Sequence, residues 1–365
     1  MVPAAPGFHS CIMLEGKAMP SVLGFVVKEA LNSSASHPSV DSKRCLNSKQ
    51  GRMECSACAD VCPGGALIDA KAGKADWEKC LSCGLCAVTC PSGAIGFADY
   101  RLSRMQQMLS DGRSVHTIGC AQAGGEMDCK AWCIASYSWE MIAALALAGC
   151  VQIHKGDCEN CARRDKLGCF EKTLERVREF LGDERYGQQV KLLEDGKPAK
   201  TEVSRRALFG KLLPGAAKMK KGAQEEEQAL GKDGLSMRRL LIRTMEKTAD
   251  EQTKFGWNMP AFNDQCWGCG ICAKVCPNQA IRVRESEGAW RISCSPILCM
   301  NCGVCEAVCL DGGVKGMRSV QMTNGKKYIA RKIQARTCEG CGAAVKPDSD
   351  FALCLRCRAI AKKKK

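Results

Sequence analysis

One cysteine spacing occurs four times along this chain. Cys80-x2-Cys83-x2-Cys86-x3-Cys90-Pro91 is a complete unit, and Cys266-x2-Cys269-x2-Cys272-x3-Cys276-Pro277 is a second. Cys299-x2-Cys302-x2-Cys305-x3-Cys309 keeps every cysteine but has Leu310 in place of proline. The fourth, Cys55-x2-Cys58-x3-Cys62-Pro63, lacks its first cysteine: Arg52 stands there, and Cys45 lies seven residues further upstream. Each last cysteine is followed by a short turn and an apolar pair, plainly in PGGALI, PSGAIGF and PNQAIRV and more weakly in LDGGVKG. An internal repeat of this kind constrains architecture before any local propensity does.

The composition says what the cysteines are for. Twenty-nine of them, against nine Phe and four Tyr in 365 residues, describe a chain not held together by one large apolar core. A disulfide framework would need a secretory route, and the first thirty residues lack a charged start, long apolar run and cleavage site in the right order. C-x2-C spacing is also too close for ordinary disulfides and suits wrapping an ion or cluster. Three cysteines at x2 intervals form a loop that curls around one iron–sulfur cube, with small residues such as Gly84, Gly268, Gly270 and Gly303 letting the backbone approach. The x3 step starts a short helix, and proline then stops it.

These motifs resemble those of the bacterial two-cluster ferredoxins, over about residues 45–100 and 260–320. In that family the fourth cysteine of each motif ligates the other cluster of its pair. Carried over residue by residue, the resemblance implies four [4Fe-4S] clusters. The first takes Cys55, Cys58 and Cys90, with Cys45 expected as its fourth ligand across the looped-out LNSKQGRME, whose Lys49 and Arg52 would face a partner. A three-iron cluster or a labile fourth iron is the other outcome at that site. The second cluster takes Cys62, Cys80, Cys83 and Cys86; the third, Cys266, Cys269, Cys272 and Cys309; the fourth, Cys276, Cys299, Cys302 and Cys305. Cys294 is surplus to the pattern and reads as a buried or loop thiol.

Between the pairs, residues 114–118 read as a strand leading to Cys120, Ser138 as the cap of a helix over 139–148, 150–154 as a second strand, and 170–181 as a second helix. This is a βαβα unit with parallel strands that run into cysteines at their C-terminal ends, where α/β sheets place ligands. The expected site is Cys120, Cys133, Cys158 and Cys161, with Cys129 and Cys169 as alternates. The pattern loosely resembles small iron–sulfur subunits of hydrogenases and heterodisulfide reductases. His116 and His154 are expected to pack or to support ligands rather than to ligate. Two amphipathic helices are expected further on, from Ser204 and from Ser236, either as docking elements or as ordinary packing helices. Ser204-Arg205-Arg206 looks like a twin-arginine signal but is internal and lacks an apolar region, so it reads as coincidence.

Near the C-terminus, Cys338-x2-Cys341-x12-Cys354-x2-Cys357 resembles a zinc ribbon, with a rubredoxin-like iron site using the same thiolates as the alternative. The expected architecture is therefore α+β. It comprises an N-terminal extension (1–44), a first dicluster ferredoxin domain (45–105), the βαβα unit (112–183) and a linker with amphipathic helices (184–258). A second dicluster domain (259–325) and the zinc-ribbon-like motif with its basic tail (334–361) complete it.

The formal charge of +15 shrinks once thiolate-bound clusters and zinc contribute about −10, leaving roughly +5, so nucleic acid is not the expected partner. No apolar run approaches the ~20 residues of a membrane span, and the reduced thiols point to the cytoplasm. No G-x-G-x-x-G, P-loop or catalytic triad is present, so the chain supplies no catalytic residue of its own. The leading expectation is a polyferredoxin passing single electrons between a reductant and a partner oxidoreductase. The alternative, from resemblance to the ferredoxin-type protein that accompanies periplasmic nitrate reductase, is an accessory protein for assembling a metalloenzyme. A third reading makes the middle unit a thiol or disulfide reductase, with Cys129, Cys150 and Cys169 as spare thiols.

Overall fold

The computed structural model describes residues 38–47, 53–69, 74–96, 100–161, 164–194, 235–249, 252–286, 289–323, 328–333, 336–345 and 352–363. The expected N-terminal extension up to residue 37, Lys49, Arg52 and the helix expected from Ser204 lie outside the described residues.

The first cysteine-rich region is built from very short elements: β1 (Ser39–Val40), α1 (Ala57–Asp60), β2 (Leu67–Asp69), β3 (Lys74–Ala75), α2 (Leu85–Thr89) and β4 (Ile95–Gly96). The helices cannot lengthen, because Cys90 already has extended backbone and proline follows both Cys62 and Cys90. β2 pairs with β3, and β1 pairs antiparallel with β4, Ser39 opposite Gly96 and Val40 opposite Ile95.

Next come α3 (Tyr100–Ser110), β5 (Val115–Cys120), β6 (Cys129–Ala131), α4 (Trp139–Ala148), β7 (Cys150–Lys155), α5 (Leu167–Leu181), α6 (Asp183–Gln189) and β8 (Val190–Glu194). The four strands form a parallel sheet in the order β6-β5-β7-β8. Ser138 caps α4, its Oγ accepting from the Met141 N–H at 3.3 Å. Every residue of α4 from Glu140 to Ala146 is buried, so this helix is the centre of the main core. On α5, Phe170, Leu174, Val177 and Leu181 form the buried stripe. The strands and both helices fall where the sequence spacing puts them, but the sheet has two further strands. β8 lies past residue 183, inside the stretch expected to be linker, so the unit runs to Glu194. Its short VKLLE run carries two charges in five residues without regular alternation and does not declare itself without its neighbour β7.

The last part contains α7 (Ser236–Thr248), β9 (Phe255–Phe262), α8 (Ile271–Val275), β10 (Ile281–Ser286), β11 (Ala289–Cys294), α9 (Val304–Ala307), β12 (Val314–Met322) and β13 (Tyr328–Ile333). It ends with β14 (Arg336–Thr337), β15 (Ala344–Val345) and α10 (Leu355–Lys363). Leu240, Leu241 and Met245 of α7 join the same core as α4. β9 pairs with β12, and β10-β11-β13 forms a three-stranded antiparallel sheet. β9 is anchored on α5: Phe255 stacks on Phe180 at 4.9 Å between ring centroids, and Trp257 meets the same ring edge-on at 5.2 Å. Residues 235–249 and 255–258 are therefore packed core elements, not linker, because their apolar faces find α4 and α5. Among the described residues, no helix is long and apolar enough to cross a membrane.

Candidate metal centres

Three of the four repeats have the same backbone. Ser82 and Gly84, Gly268 and Gly270, and Asn301 and Gly303 flank the second cysteine of their motifs, and all six have positive φ. That left-handed pair turns the chain tightly enough to aim successive N–H groups inward. The Cys83, Cys269 and Cys302 sulfurs accept from the N–H groups of Leu85, Ile271 and Val304, the first residues of α2, α8 and α9. The fourth cysteines repeat a second contact: Cys62, Cys90 and Cys276 accept from the N–H groups of Ala66, Ala94 and Ala280, each at 3.2 Å.

The cysteines gather as the interlocked pattern requires. Cys62, Cys80, Cys83 and Cys86 line one cavity, and Cys276, Cys299, Cys302 and Cys305 line another. Cys266 and Cys269 both feel the thiolate of Cys309, and Cys272 feels Cys269 and Cys266. Within each half the two sets adjoin, since Cys86 also feels Cys58 and Cys272 feels Cys305. Burial first, and neighbouring thiolates second, push Cys86, Cys272 and Cys305 up to about 12. Such sets are stable as thiolates only around a cationic centre, and their sulfurs already collect N–H donors, so the donor set fits an iron–sulfur cube.

The set with the missing motif cysteine also closes. Cys45, Cys55, Cys58 and Cys90 line a single cavity. The β1–β4 pairing brings Cys45 there: Asp41 N–H donates to the Ala94 carbonyl at 2.8 Å, and Cys45 N–H donates back to the Asp41 carbonyl at 2.9 Å. Leu46 is buried at 2 % exposure, and the Met53 N–H closes the loop onto its carbonyl at 3.3 Å. Cys45 accepts from the N–H of Asn47, as Cys266 accepts from Gly268 and Cys299 from Asn301. Ser56, where the sister motifs have left-handed glycine, has φ −118° instead.

In the middle unit, Cys120, Cys133, Cys158 and Cys161 line one cavity together with Trp132 and Lys166. Cys120 ends β5 and Cys158 follows β7, so both come from the C-terminal edge of the parallel sheet. A Cβ on Gly156 would sit 3.2 Å from the Cys120 sulfur, so the backbone passes close to this site. Burial, then the neighbouring Cys120, pushes the Cys158 thiol up. Cys129, 2 % exposed in β6, and Cys169 lie outside that lining, as do His116 and His154. Both histidines are buried on the sheet, at 0 % and 4 % exposure.

At the C-terminus, one sulfur from each of Cys338, Cys341, Cys354 and Cys357 lies within 4.8 Å of the others. Tetrahedral zinc at about 2.3 Å from each sulfur puts sulfurs about 3.8 Å apart, and Cys341 and Cys354 are at 3.6 Å. Cys338 accepts from the Cys354 N–H at 3.2 Å, and that bond leads in holding its thiol well below the usual range. A Cβ on Gly340 would meet the Cys357 sulfur at 3.1 Å, which is why a small residue sits in the first knuckle.

Two contacts go beyond the sequence reading, which had Cys294 only as a buried or loop thiol. Cys294, 1 % exposed, donates to the Cys299 sulfur and pulls that thiol below its usual range. Asn278 Nδ2 donates to the Ser92 carbonyl at 3.0 Å, joining the loops that follow Cys276 and Cys90.

The 4Fe-4S dicluster domain family matches residues 265–312, and the 4Fe-4S binding domain family matches residues 74–96. The motif containing Arg52 falls outside both matches. No curated protein and no solved structure matches the chain.

Proposed function

We propose that the chain is an iron–sulfur electron carrier, a polyferredoxin passing single electrons between a reductant and a partner oxidoreductase in a reducing, cytoplasmic compartment. Four [4Fe-4S] clusters would be held by the sets Cys45/Cys55/Cys58/Cys90, Cys62/Cys80/Cys83/Cys86, Cys266/Cys269/Cys272/Cys309 and Cys276/Cys299/Cys302/Cys305. Cys120, Cys133, Cys158 and Cys161 would hold a further cluster or metal, and Cys338, Cys341, Cys354 and Cys357 a structural zinc. When bound, the clusters supply one-electron redox chemistry. The protein's part is to position thiolates, donate N–H groups to the sulfurs and exclude water.

The observation that carries this reading is the juxtaposition of the two cysteine-rich halves. The Asn278–Ser92 bond sits one residue beyond Pro277 and Pro91, so Cys90 of one half and Cys276 of the other approach through adjoining loops. A carrier gains from such contact between its two pairs of sites, whereas separate storage sites would not need it. Anaerobic iron, sulfide and zinc analysis with EPR tests the reading. About sixteen irons and one zinc per chain support four cubes and a ribbon, and about four more irons place a cube in the middle unit. Fewer than about eight irons after full reconstitution, or no reducible EPR signal, would overturn it.

A further inference from the structure

We propose that electrons cross between the two cysteine-rich halves at one place, between the Cys45/Cys55/Cys58/Cys90 set and the Cys276/Cys299/Cys302/Cys305 set. The four sets then form a single line, with Cys62/Cys80/Cys83/Cys86 at one end and Cys266/Cys269/Cys272/Cys309 at the other. This rests on the carrier reading above and adds to it an order of centres.

A cleft separates the halves, and the cysteines that line it, among the described residues, are Cys90 and Cys299. Each belongs to one of the two inner sets. The join beside them is continuous. Ser92, 1 % exposed, has its Oγ 3.7 Å from the Cys90 sulfur, and its carbonyl accepts from Asn278 Nδ2 at 3.0 Å. Asn278 stands two residues after Cys276, as Ser92 stands two residues after Cys90. The route from Cys90 to Cys276 therefore runs along covalent chain with one hydrogen bond to cross, and tunnelling falls off less steeply through bonds than through empty space. The step takes one electron from one inner set and adds it to the other; no bond is made or broken and no proton moves.

Matched motif positions are turned in opposite directions in the two halves. Leu81 and Met300 each follow the first cysteine of a complete motif, and Pro91 and Leu310 each follow the last. Pro91 and Met300, next to the inner-set ligands Cys90 and Cys299, line the cleft. Leu81 and Leu310, next to the outer-set ligands Cys80 and Cys309, face solvent at 50 % and 88 % exposure. The inner sets thus turn a ligand-bearing loop toward each other, and the outer sets turn one toward any external donor or acceptor. Within each half the two sets adjoin through Cys58 and Cys86 and through Cys272 and Cys305, which completes the line.

The test is EPR of the full, metal-loaded chain, reduced anaerobically with excess dithionite. Reduced centres broaden each other's signals by a coupling that falls with the cube of their separation. Cys55→Ala/Cys58→Ala and Cys80→Ala/Cys83→Ala should each lose about four irons. The signal of the Cys276 set should narrow in the first variant and keep its parent width in the second. Narrowing in the second variant, or none in the first, would overturn the order. If those variants fail to fold, Cys302→Ala/Cys305→Ala and Cys266→Ala/Cys269→Ala repeat the comparison from the other half, with the Cys90-set signal narrowing in the former alone. Asn278→Ala keeps every cysteine, so its iron content should match the parent. Freeze-quench EPR after flash reduction should show electrons spreading between its halves more slowly than in the parent, and an unchanged rate would overturn the crossing at Ser92. Absence of any reducible signal in the parent chain is a separate failure, of the carrier reading itself, and takes the order down with it.

Discussion

The Cys45 sulfur accepts a hydrogen bond from the Asn47 N–H, two residues on, as Cys266 does from Gly268 and Cys299 from Asn301. Cys45 therefore has the local geometry of a first motif cysteine, although it stands seven residues before the position held by Arg52. The inserted chain costs little, since loop-closure entropy grows only slowly with loop length. Replacement of Cys45 should be costly. Cys45→Ala is expected to lose about one iron per chain on reconstitution, with a three-iron EPR signal appearing on oxidation. Iron content equal to the parent, with no new signal, would show that Cys45 is not a ligand.

Cys294 points to a second experiment. Its thiol, in the last position of β11, donates to Cys299 from a site closed to solvent. A hydrogen bond to a ligand sulfur stabilises the more negative, reduced state of the centre that sulfur holds. Cys294→Ala should lower the reduction potential of that one centre by roughly 40 mV, the one-electron equivalent of a hydrogen bond worth about 1 kcal/mol. Cys294→Ser should restore much of the shift. EPR-monitored redox titration reads both, and the iron content should not change in either variant.

Legibility in the sequence followed locality. The repeats, the Ser138 cap and the α4 and α5 stripes are encoded within windows of a few residues, so spacing alone located them. The four middle cysteines were also readable, because parallel strands must end on one edge. The helix from Ser236 and its face of Leu240, Leu241 and Met245 were readable too, but its packing on α4 was not; nor were β8 and the start of β9, since VKLLE acquires its meaning only from β7, an element distant in sequence. The Asn278–Ser92 contact spans 186 positions between two unremarkable polar residues, and no pattern marks either one.

The C-terminal centre should be energetically separable from the rest. Two of its sulfurs come from the turn between β14 and β15, one from the residue before α10 and one from α10, and among the described residues its sheet has two strands. So small a unit has almost no core of its own, and metal binding is then most of its folding energy. Cys341→Ser is chosen because Cys341 is the exposed member of the set. It should cut zinc content by about one per chain and remove hydrogen-exchange protection over 336–345 and 352–363. Iron content and protection in the parallel sheet should stay at parent levels. Loss of iron alongside zinc would instead show that this centre is coupled to the iron-binding sites.

The Arg238–Glu140 pair ties α7 to α4, and both side chains are almost closed off, at 7 % and 6 % exposure. Arg238 also stacks on Trp139 at 4.8 Å and approaches Trp257 at 5.9 Å, so its loss removes packing as well as charge. Breaking one side of a buried pair strands the other charge, which typically costs about 3–5 kcal/mol. Arg238→Met should therefore destabilise the chain by that amount in denaturant unfolding followed by far-ultraviolet circular dichroism. Glu140→Gln should cost less, because Arg238 keeps its carbonyl contacts with Pro296 and Ile297 and its place on the indole. The double variant should recover at least about 1 kcal/mol relative to the sum of the two, the coupling expected of residues in direct contact. Additive losses would mean that α7 is held by Leu240, Leu241 and Met245 alone, with the ion pair contributing nothing to the join.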